Sequence, residues 1–310
     1  VARKGLSSAD AVAANALLVA VRQSADVICD RWSLSLVLAA FLGARRFADF
    51  IALTGVSGGL LTTRLKKLES DGLLLKTPYS RRPLRHDYWL TNMGREFFDV
   101  VAELVRWEQR WFPDPDNPIL QMIETTAPGR LAEPLRCRTC GEPIIARGVD
   151  VEVSRALLRK IPPKRSTWRR STVTRETPAS APPLLGPSLD LLGDKWSIEL
   201  INCAFLPIRR FGDFRALTGI AANILTDRLN RLVDVGFLSR GDDRSAERAG
   251  GYYLTEEGVS FYPALLRIQE WADDWITERY SSPVALIHRS CGAAIHPRPQ
   301  PTKRAVRSAS

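Results

Sequence analysis

The chain has 310 residues, 45% of them hydrophobic, with 44 Lys and Arg against 34 Asp and Glu for a net charge of +10. That length exceeds one ordinary domain and that apolar content fills real cores, so a disordered or low-complexity chain is excluded. Five cysteines, an odd number, exclude a closed disulfide framework and fit a reducing cytoplasm; no run of about 18 apolar residues is present to cross a bilayer.

Ala11 to Val21, behind Arg3 and Lys4, has the outline of a signal peptide. Asn15 interrupts it, and Arg22 and Asp26 stand where a cleavage site belongs, so an amphipathic first helix is expected instead. From there the chain repeats itself. Asp30-Arg31-Trp32-Ser33 returns as Asp194-Lys195-Trp196-Ser197, an offset of 194 − 30 = 164. The same offset carries Arg45-Arg46-Phe47 onto Arg209-Arg210-Phe211, Leu53-Thr54-Gly55 onto Leu217-Thr218-Gly219, and Trp107 and Trp111 onto Trp271 and Trp275. Without a gap, 30 of the 82 positions from 30 to 111 are identical in the second copy. Such self-similarity fixes the architecture as two copies of one fold.

Within the first copy, Ser33 to Leu42 is too apolar for a surface helix and is expected in the core. Arg45 and Arg46 open a short helix that ends near Thr54-Gly55, Gly55 suiting a left-handed turn. Ser57 is the expected N-cap of a helix running to about Ser70. Leu61, Leu65 and Leu68 recur at helical spacing, leaving Thr62, Thr63, Lys66 and Lys67 outward. A short helix, a tight turn and an amphipathic helix with a basic face make a helix-turn-helix, whose second helix enters the major groove. Leu73 to Leu75 and Tyr88 to Leu90 read as a hairpin with Arg81, Arg82, Arg85 and His86 in its loop, a basic wing over 76–88. Thr91 then caps one long helix to Trp111, whose stripe of Phe97, Val101, Leu104 and Trp107 calls for a partner helix.

The fold expected is therefore mainly α with small β-hairpin wings, arranged as two tandem winged helix-turn-helix domains at 8–112 and 184–280. Prolines such as Pro162, Pro163, Pro182 and Pro183, with the basic cluster Lys164, Arg165, Arg169 and Arg170, mark 113–183 as a linker. The tail, 281–310, reads as disordered beyond Pro297.

These motifs together resemble the HxlR-type helix-turn-helix family, relatives of the MarR regulators. Trp32, Arg-Arg-Phe-x-Asp-Phe from Arg45, Leu-Thr-x-Arg-Leu from Leu61, Asp71-Gly72-Leu73 and Leu90-Thr91-x-x-Gly94 carry the resemblance. It extends over 24–111 and again about 188–275. It implies a winged-helix fold, dimers formed through terminal helices (here 91–111 and 255–279), and binding to double-stranded operator DNA. Family members usually carry a Cys-Pro pair about 13 residues before the motif Trp, in some an oxidant sensor; Val19 and Pro183 occupy those positions here, so thiol sensing there is not expected. Cys29 and Cys203, in apolar surroundings, read as buried and inert.

Candidate DNA contacts in the first copy are Arg45, Arg46, Ser57, Thr62, Thr63, Lys66, Lys67, Arg81, Arg82 and Arg85. In the second they are Arg209, Arg210, Asn223, Thr226, Arg231 and Arg244, around a recognition helix over 221–235. Gly58, Gly59, Ala221 and Ala222 occupy helix starts where base-reading side chains normally sit, so direct readout is expected to be sparse. Residues 30–111 hold 13 Lys/Arg against 9 Asp/Glu, whereas 194–275 hold 10 against 13. Asp227 replaces Thr63, and the second wing contains Asp242, Asp243 and Glu247 beside Arg244 and Arg248. A carboxylate facing phosphate costs binding, so the first copy is expected to dominate affinity.

Cys137-x-x-Cys140 and His288-x-x-Cys291 are two half-knuckles, one after each copy. Two residues between ligands let both face one tetrahedral metal, so a joint Cys3His zinc site is conceivable beside unligated remnants or a redox pair. No nucleophile–base pair, phosphate loop or carboxylate set suggests an enzyme, and the three histidines, His86, His288 and His296, lie in the wing and the tail. Two functions compete. The leading one is a cytoplasmic DNA-binding regulator whose fused copies mimic a homodimer, with an unknown small-molecule effector. The other is a winged-helix protein-interaction adaptor.

Overall fold

The computed structural model describes residues 8–154, 156, 184–241, 250–276 and 284–295. The basic cluster at 164–170, the second wing's tip with Arg244, Asp242, Asp243, Glu247 and Arg248, and the tail beyond Pro297 with His296 lie outside them. Among the described residues no helix is long and apolar enough to cross a membrane.

Helix α1 (Ser8–Ile28) precedes the first copy, which runs α2 (Arg31–Phe41), α3 (Phe47–Thr54), α4 (Gly58–Ser70), β1 (Leu74–Arg81), β2 (Leu84–Leu90), α5 (Asn92–Glu96) and α6 (Phe98–Trp111). After α7 (Pro118–Thr126) and β3 (Val149–Val153), the second copy follows as α8 (Pro187–Leu192), α9 (Lys195–Ala204), α10 (Phe211–Thr218), α11 (Ala222–Asp234), β4 (Leu238–Arg240), β5 (Tyr252–Leu254), α12 (Glu256–Ser260) and α13 (Tyr262–Trp275). Strand β6 (Val284–His288) closes the described chain by pairing antiparallel with β3. The molecule is mainly helical, with two winged helix-turn-helix units in tandem.

Local chemistry repeats with the sequence. Asp30 caps α2 by accepting from the Ser33 N–H at 2.8 Å, and Asp194 caps α9 by accepting from the Ser197 N–H at 3.0 Å. Gly55 and Gly219 end α3 and α10 at φ 66° and 71°, the left-handed conformation that suits glycine. Leu61, Leu65 and Leu68 of α4, like Leu225, Leu229 and Leu232 of α11, are buried. In Leu-Thr-x-x-Gly, Thr91 Oγ1 donates to the Gly72 carbonyl at 2.6 Å and accepts from the Gly94 N–H at 3.1 Å. A Cβ on Gly94 would lie 2.4 Å from the Leu73 carbonyl oxygen, and one on Gly258 2.3 Å from that of Phe237. Both glycines are required by a close backbone approach.

Two local expectations change. The helix read as continuous from 91 to 111 tightens at Phe97, where the Val100 N–H bonds the Phe97 carbonyl at 3.1 Å; α12 and α13 divide likewise around Phe261. The break lets Phe97 and Phe261 enter the contact between the copies. Ser57 does sit at the N-cap of α4, but its side chain makes no capping bond.

The copies pack on one another reciprocally. Helix α6 lies against α13. Trp107 Nε1 donates to the Glu257 carbonyl at 2.8 Å, and Trp271 Nε1 donates to that of Met93 at 2.9 Å. Phe97 stacks edge-on against Trp271 at 5.0 Å, and Trp107 against Phe261 at 5.1 Å. The flanking helices are exchanged: α1 packs on α9 and α13 of the second copy, while α8 packs on α2 and α6 of the first. Arg31 pairs with Asp190 and Lys195 with Asp26, again mates at the 164-residue offset. Backbones meet at Asp30 and Asp194, which form an antiparallel bridge. The apolar stripes expected to pair two chains are thus covered within one.

Candidate nucleic-acid interface and metal cluster

Helix α4 is held from behind and presented in front. Its three leucines are buried, and Arg64 pairs with the α2 cap residue Asp30 at 2.8 Å. In the second copy Arg228 pairs with Asp194 at 2.6 Å. These arginines, absent from the expected contacts, position the recognition helices, and their repetition in Leu-Thr-x-Arg-Leu was the available signal. Ser57, Thr62, Thr63 and Lys66 are exposed, the two threonine hydroxyls donating to the carbonyls of Gly58 at 2.9 Å and Gly59 at 3.1 Å.

The strands of the first wing run further than expected, pairing Leu74 with Leu90 through to Arg81 with Leu84 and slipping register between Pro78 and Ser80. Arg81, Arg82 and Arg85 are all exposed at its far end. Tyr88 N–H bonds the Arg45 carbonyl at 2.8 Å, tying the wing to the start of α3. Exposed Arg46 lies over the Tyr79 ring at 4.7 Å, with Asp87 3.6 Å from its guanidinium. In the second copy Asn223, Thr226 and Asp227 are exposed on α11, and Arg210 is exposed at the N-cap of α10. Arg244 falls outside the described residues.

Four expected contacts are turned elsewhere. Arg45 donates to the carbonyls of Ala40 and Ala44 at 2.7 and 2.8 Å and stacks over Trp89, closing the C-terminal end of α2. Arg209 does the same for α9, donating to the carbonyls of Ala204 at 3.1 Å and Ile208 at 2.7 Å, and burial lowers its pKa. Lys67 donates to the Asp26 carbonyl at 3.0 Å and pairs with Asp71. Arg231 pairs with Asp190 at 2.9 Å. Periodicity placed Lys67 outward, and the other three were expected as cations within the helix-turn-helix segments; the unforeseen neighbours are helix ends and the exchanged helices α1 and α8.

Pairing of β3 with β6 brings the two half-knuckles together. The ligand atoms of Cys137, Cys140, His288 and Cys291 all lie within 4.8 Å of one another. Cys137 Sγ is 3.8 Å from Cys291 Sγ, and His288 Nδ1 is 3.3 Å from Cys140 Sγ and 3.5 Å from Cys291 Sγ. Thiolates about 2.3 Å from a tetrahedral zinc stand roughly 3.8 Å apart, with a thiolate and an imidazole nitrogen slightly closer, so the donor set fits such an ion. Cys137 and His288 are buried. Burial raises the Cys137 thiol, but the N–H groups of Cys140 and Thr139 and the neighbouring thiols outweigh it and bring it down to about 6. Cys29 and Cys203 are buried as expected, and desolvation pushes both thiols up.

Comparison with known proteins agrees with the two helix-turn-helix units. The family model for the HxlR-like helix-turn-helix matches residues 27–116 and 191–280. An uncharacterized HTH-type transcriptional regulator of Mycobacterium tuberculosis is 36% identical over 133 residues, 43% of this chain and 84% of that protein. One of Bacillus subtilis is 31% identical over 94 residues, 30% of this chain and 86% of its own length. Another, from Escherichia coli, is 32% identical over 88 residues, covering 28% and 70%. These relatives are transcriptional regulators rather than enzymes. With two winged helix-turn-helix units whose motifs and matches coincide, the chain belongs to the HxlR-like helix-turn-helix family of transcriptional regulators and carries two copies of its domain.

Proposed function

We propose that the chain is a single-polypeptide counterpart of a dimeric repressor or activator, binding one imperfectly palindromic operator in the cytoplasm. Winged-helix units at 8–112 and 184–280 supply the two half-site readers, with 113–183 and 281–310 as the arms that carry the half-knuckles. The observation that carries this reading is the exposed face of α4, with Thr62, Thr63 and Lys66, on the same unit as the exposed wing arginines Arg81, Arg82 and Arg85. Helix side chains are suited to the major groove, and wing cations to flanking phosphates. Arg46 and Ser57 extend the phosphate contacts, and Arg210, Asn223 and Thr226 contribute from the second copy. Asp227 on the α11 face leaves that copy the weaker reader. Reciprocal packing of α6 on α13 supports the fused copies standing in for two chains, with no second chain required.

One zinc ion held by Cys137, Cys140, His288 and Cys291 belongs to the same proposal, supplying a cross-link between the two arms rather than chemistry. Cysteine ligation at Cys137 is helped by the backbone N–H groups that already favour its thiolate. A mobility-shift titration against genomic fragments tests the DNA reading. One operator bound in the nanomolar range with a steep salt slope is expected, and no binding at low salt would refute it.

A further inference from the structure

The contact between the copies has two equivalent edges, related by the 164-residue offset, and they differ in chemistry. At one edge a cavity of about 280 Å³ lies between α6, the turn from α12 into α13, and the arm that carries Cys137 and Cys140. Pro134, Leu135, Pro143, Ile144, Val259 and Pro263 contribute its apolar wall. The other edge is lined by Arg95, Glu96, Asp99, Arg267, Glu270 and Asp274. Val259 and Pro263 thus stand where the repeat has Arg95 and Asp99. Packing of copy on copy is compatible with a charged groove here, so the apolar version calls for its own account.

One polar group in that wall is left over. Glu103 lines the cavity and is 3% exposed. Its Oε2 accepts from Arg106 Nη1, whereas Oε1 is buried and has no hydrogen-bond partner among the described residues. Arg106 is also held by the carbonyls of Leu131 at 2.9 Å and Arg130 at 2.7 Å. Ser260 Oγ, in the same wall, donates to the Glu257 carbonyl at 2.8 Å and accepts from Trp111 Nε1 at 2.7 Å. A buried acceptor without a donor is costly, and a carboxylate oxygen accepts strongly once a donor reaches it. Arg106 already balances the Glu103 charge, and exposed Arg110 adds a second cation to the lining. The site therefore calls for an uncharged donor rather than an ammonium group. Volume sets the size: an engineered cavity of roughly 150 Å³ takes benzene, so about 280 Å³ admits two fused rings.

We propose that this cavity binds an uncharged bicyclic aromatic molecule carrying one N–H or O–H donor, of the indole class. Its donor meets Glu103 Oε1 while its rings lie against the prolines and aliphatic side chains, the composition usual for small-molecule sites. The occupant touches α6 of the first copy, α12 and α13 of the second, and the arm at once, so its binding favours their assembled arrangement.

Isothermal titration of the full chain with indole, and separately with N-methylindole, tests this without DNA, so the result is independent of the operator reading. Saturable binding of one indole per chain is expected, with N-methylindole, which lacks the donor, at least about tenfold weaker. E103Q keeps the shape, but its amide oxygen stays with Arg106 and its NH2 turns toward the occupant. Indole should then weaken at least about tenfold and lose its advantage over N-methylindole, with circular dichroism unchanged. Should that variant misfold, V259W, at a position 41% exposed, fills the cavity from its rim and should exclude both probes. The proposal is overturned by the absence of saturable indole binding, by N-methylindole binding as well as indole, or by unchanged affinity in the folded variants.

Discussion

Trp107 donates its indole N–H to the Glu257 carbonyl at 2.8 Å, and the residues 164 positions away make the mirror of that bond, Trp271 to Met93 at 2.9 Å. A side chain of each copy thus completes the other's helix start, at residues that the sequence repeat had already paired.

Breaking these bonds while keeping the aromatic rings separates polar from apolar contributions. W107F and W271F should each cost about 1 kcal/mol, as ordinary buried hydrogen bonds do. W107A should cost roughly 3–5 kcal/mol through the cavity left beside Phe261. Urea unfolding of the full chain reads all three, and a W107A value below that of W107F would contradict the packing described.

Wing and helix-end arginines should behave differently. R81A/R82A/R85A should weaken operator binding and lower the log–log salt slope by about 0.9 for each phosphate no longer neutralised, leaving the unfolding midpoint unchanged. R45A should lower the midpoint, because the Ala40 and Ala44 carbonyls lose their donor, and leave the slope intact. Salt titrations of both variants decide the matter.

Two glycines in α-helices make a paired test of close approach. G94A places a methyl 2.4 Å from the Leu73 carbonyl oxygen, and should cost about 2 kcal/mol or more through forced backbone shifts. Gly59 has nothing within 4 Å of its would-be Cβ, so G59A should be neutral or stabilise by roughly 0.5–1 kcal/mol. Thermal unfolding midpoints should therefore move in opposite directions or only in G94A.

Buried Glu108 supplies a pH dependence with a definite sign. Burial raises its pKa, although the Ser188 N–H and hydroxyl bonds at 2.8 and 2.6 Å oppose that rise. A carboxyl group whose folded pKa lies above its unfolded value stabilises fully below the unfolded value, and that contribution is lost as pH rises through the folded one. E108Q keeps an acceptor for Ser188 without the charge. It should be more stable than the parent near pH 7, with the difference shrinking toward pH 4. Urea midpoints across that range measure it, and a gap that grows on acidification would refute the assignment.

Metal content is the remaining measurement. Elemental analysis should find one zinc per chain, and a strong chelator should lower the unfolding temperature by loosening β3 from β6. C140S should reduce zinc retention. A zinc content near zero in protein purified without chelator would remove the metal from the account.

The helix-turn-helix units were legible because their signals are local: caps at Asp30 and Asp194, leucines at helical spacing, and glycines that end α3 and α10. The expected inward faces of α4 and α6 are the buried ones. Orientation of individual cations was less legible. Arg45 and Arg46 are adjacent and chemically identical, yet one closes a helix end and the other is exposed, a choice made by the carbonyls and rings that arrive from other elements.

By itself, then, the sequence determined that there are two copies of one family's domain, since a gapless repeat and short-range periodicity need no knowledge of distant contacts. Tertiary structure alone decided that α1 and α8 are exchanged and that Cys137 and Cys140 meet His288 and Cys291. The physical reason is that these outcomes depend on how the copies and their arms pack across more than a hundred residues of chain, where burial of apolar surface, rather than spacing along the sequence, selects the neighbours.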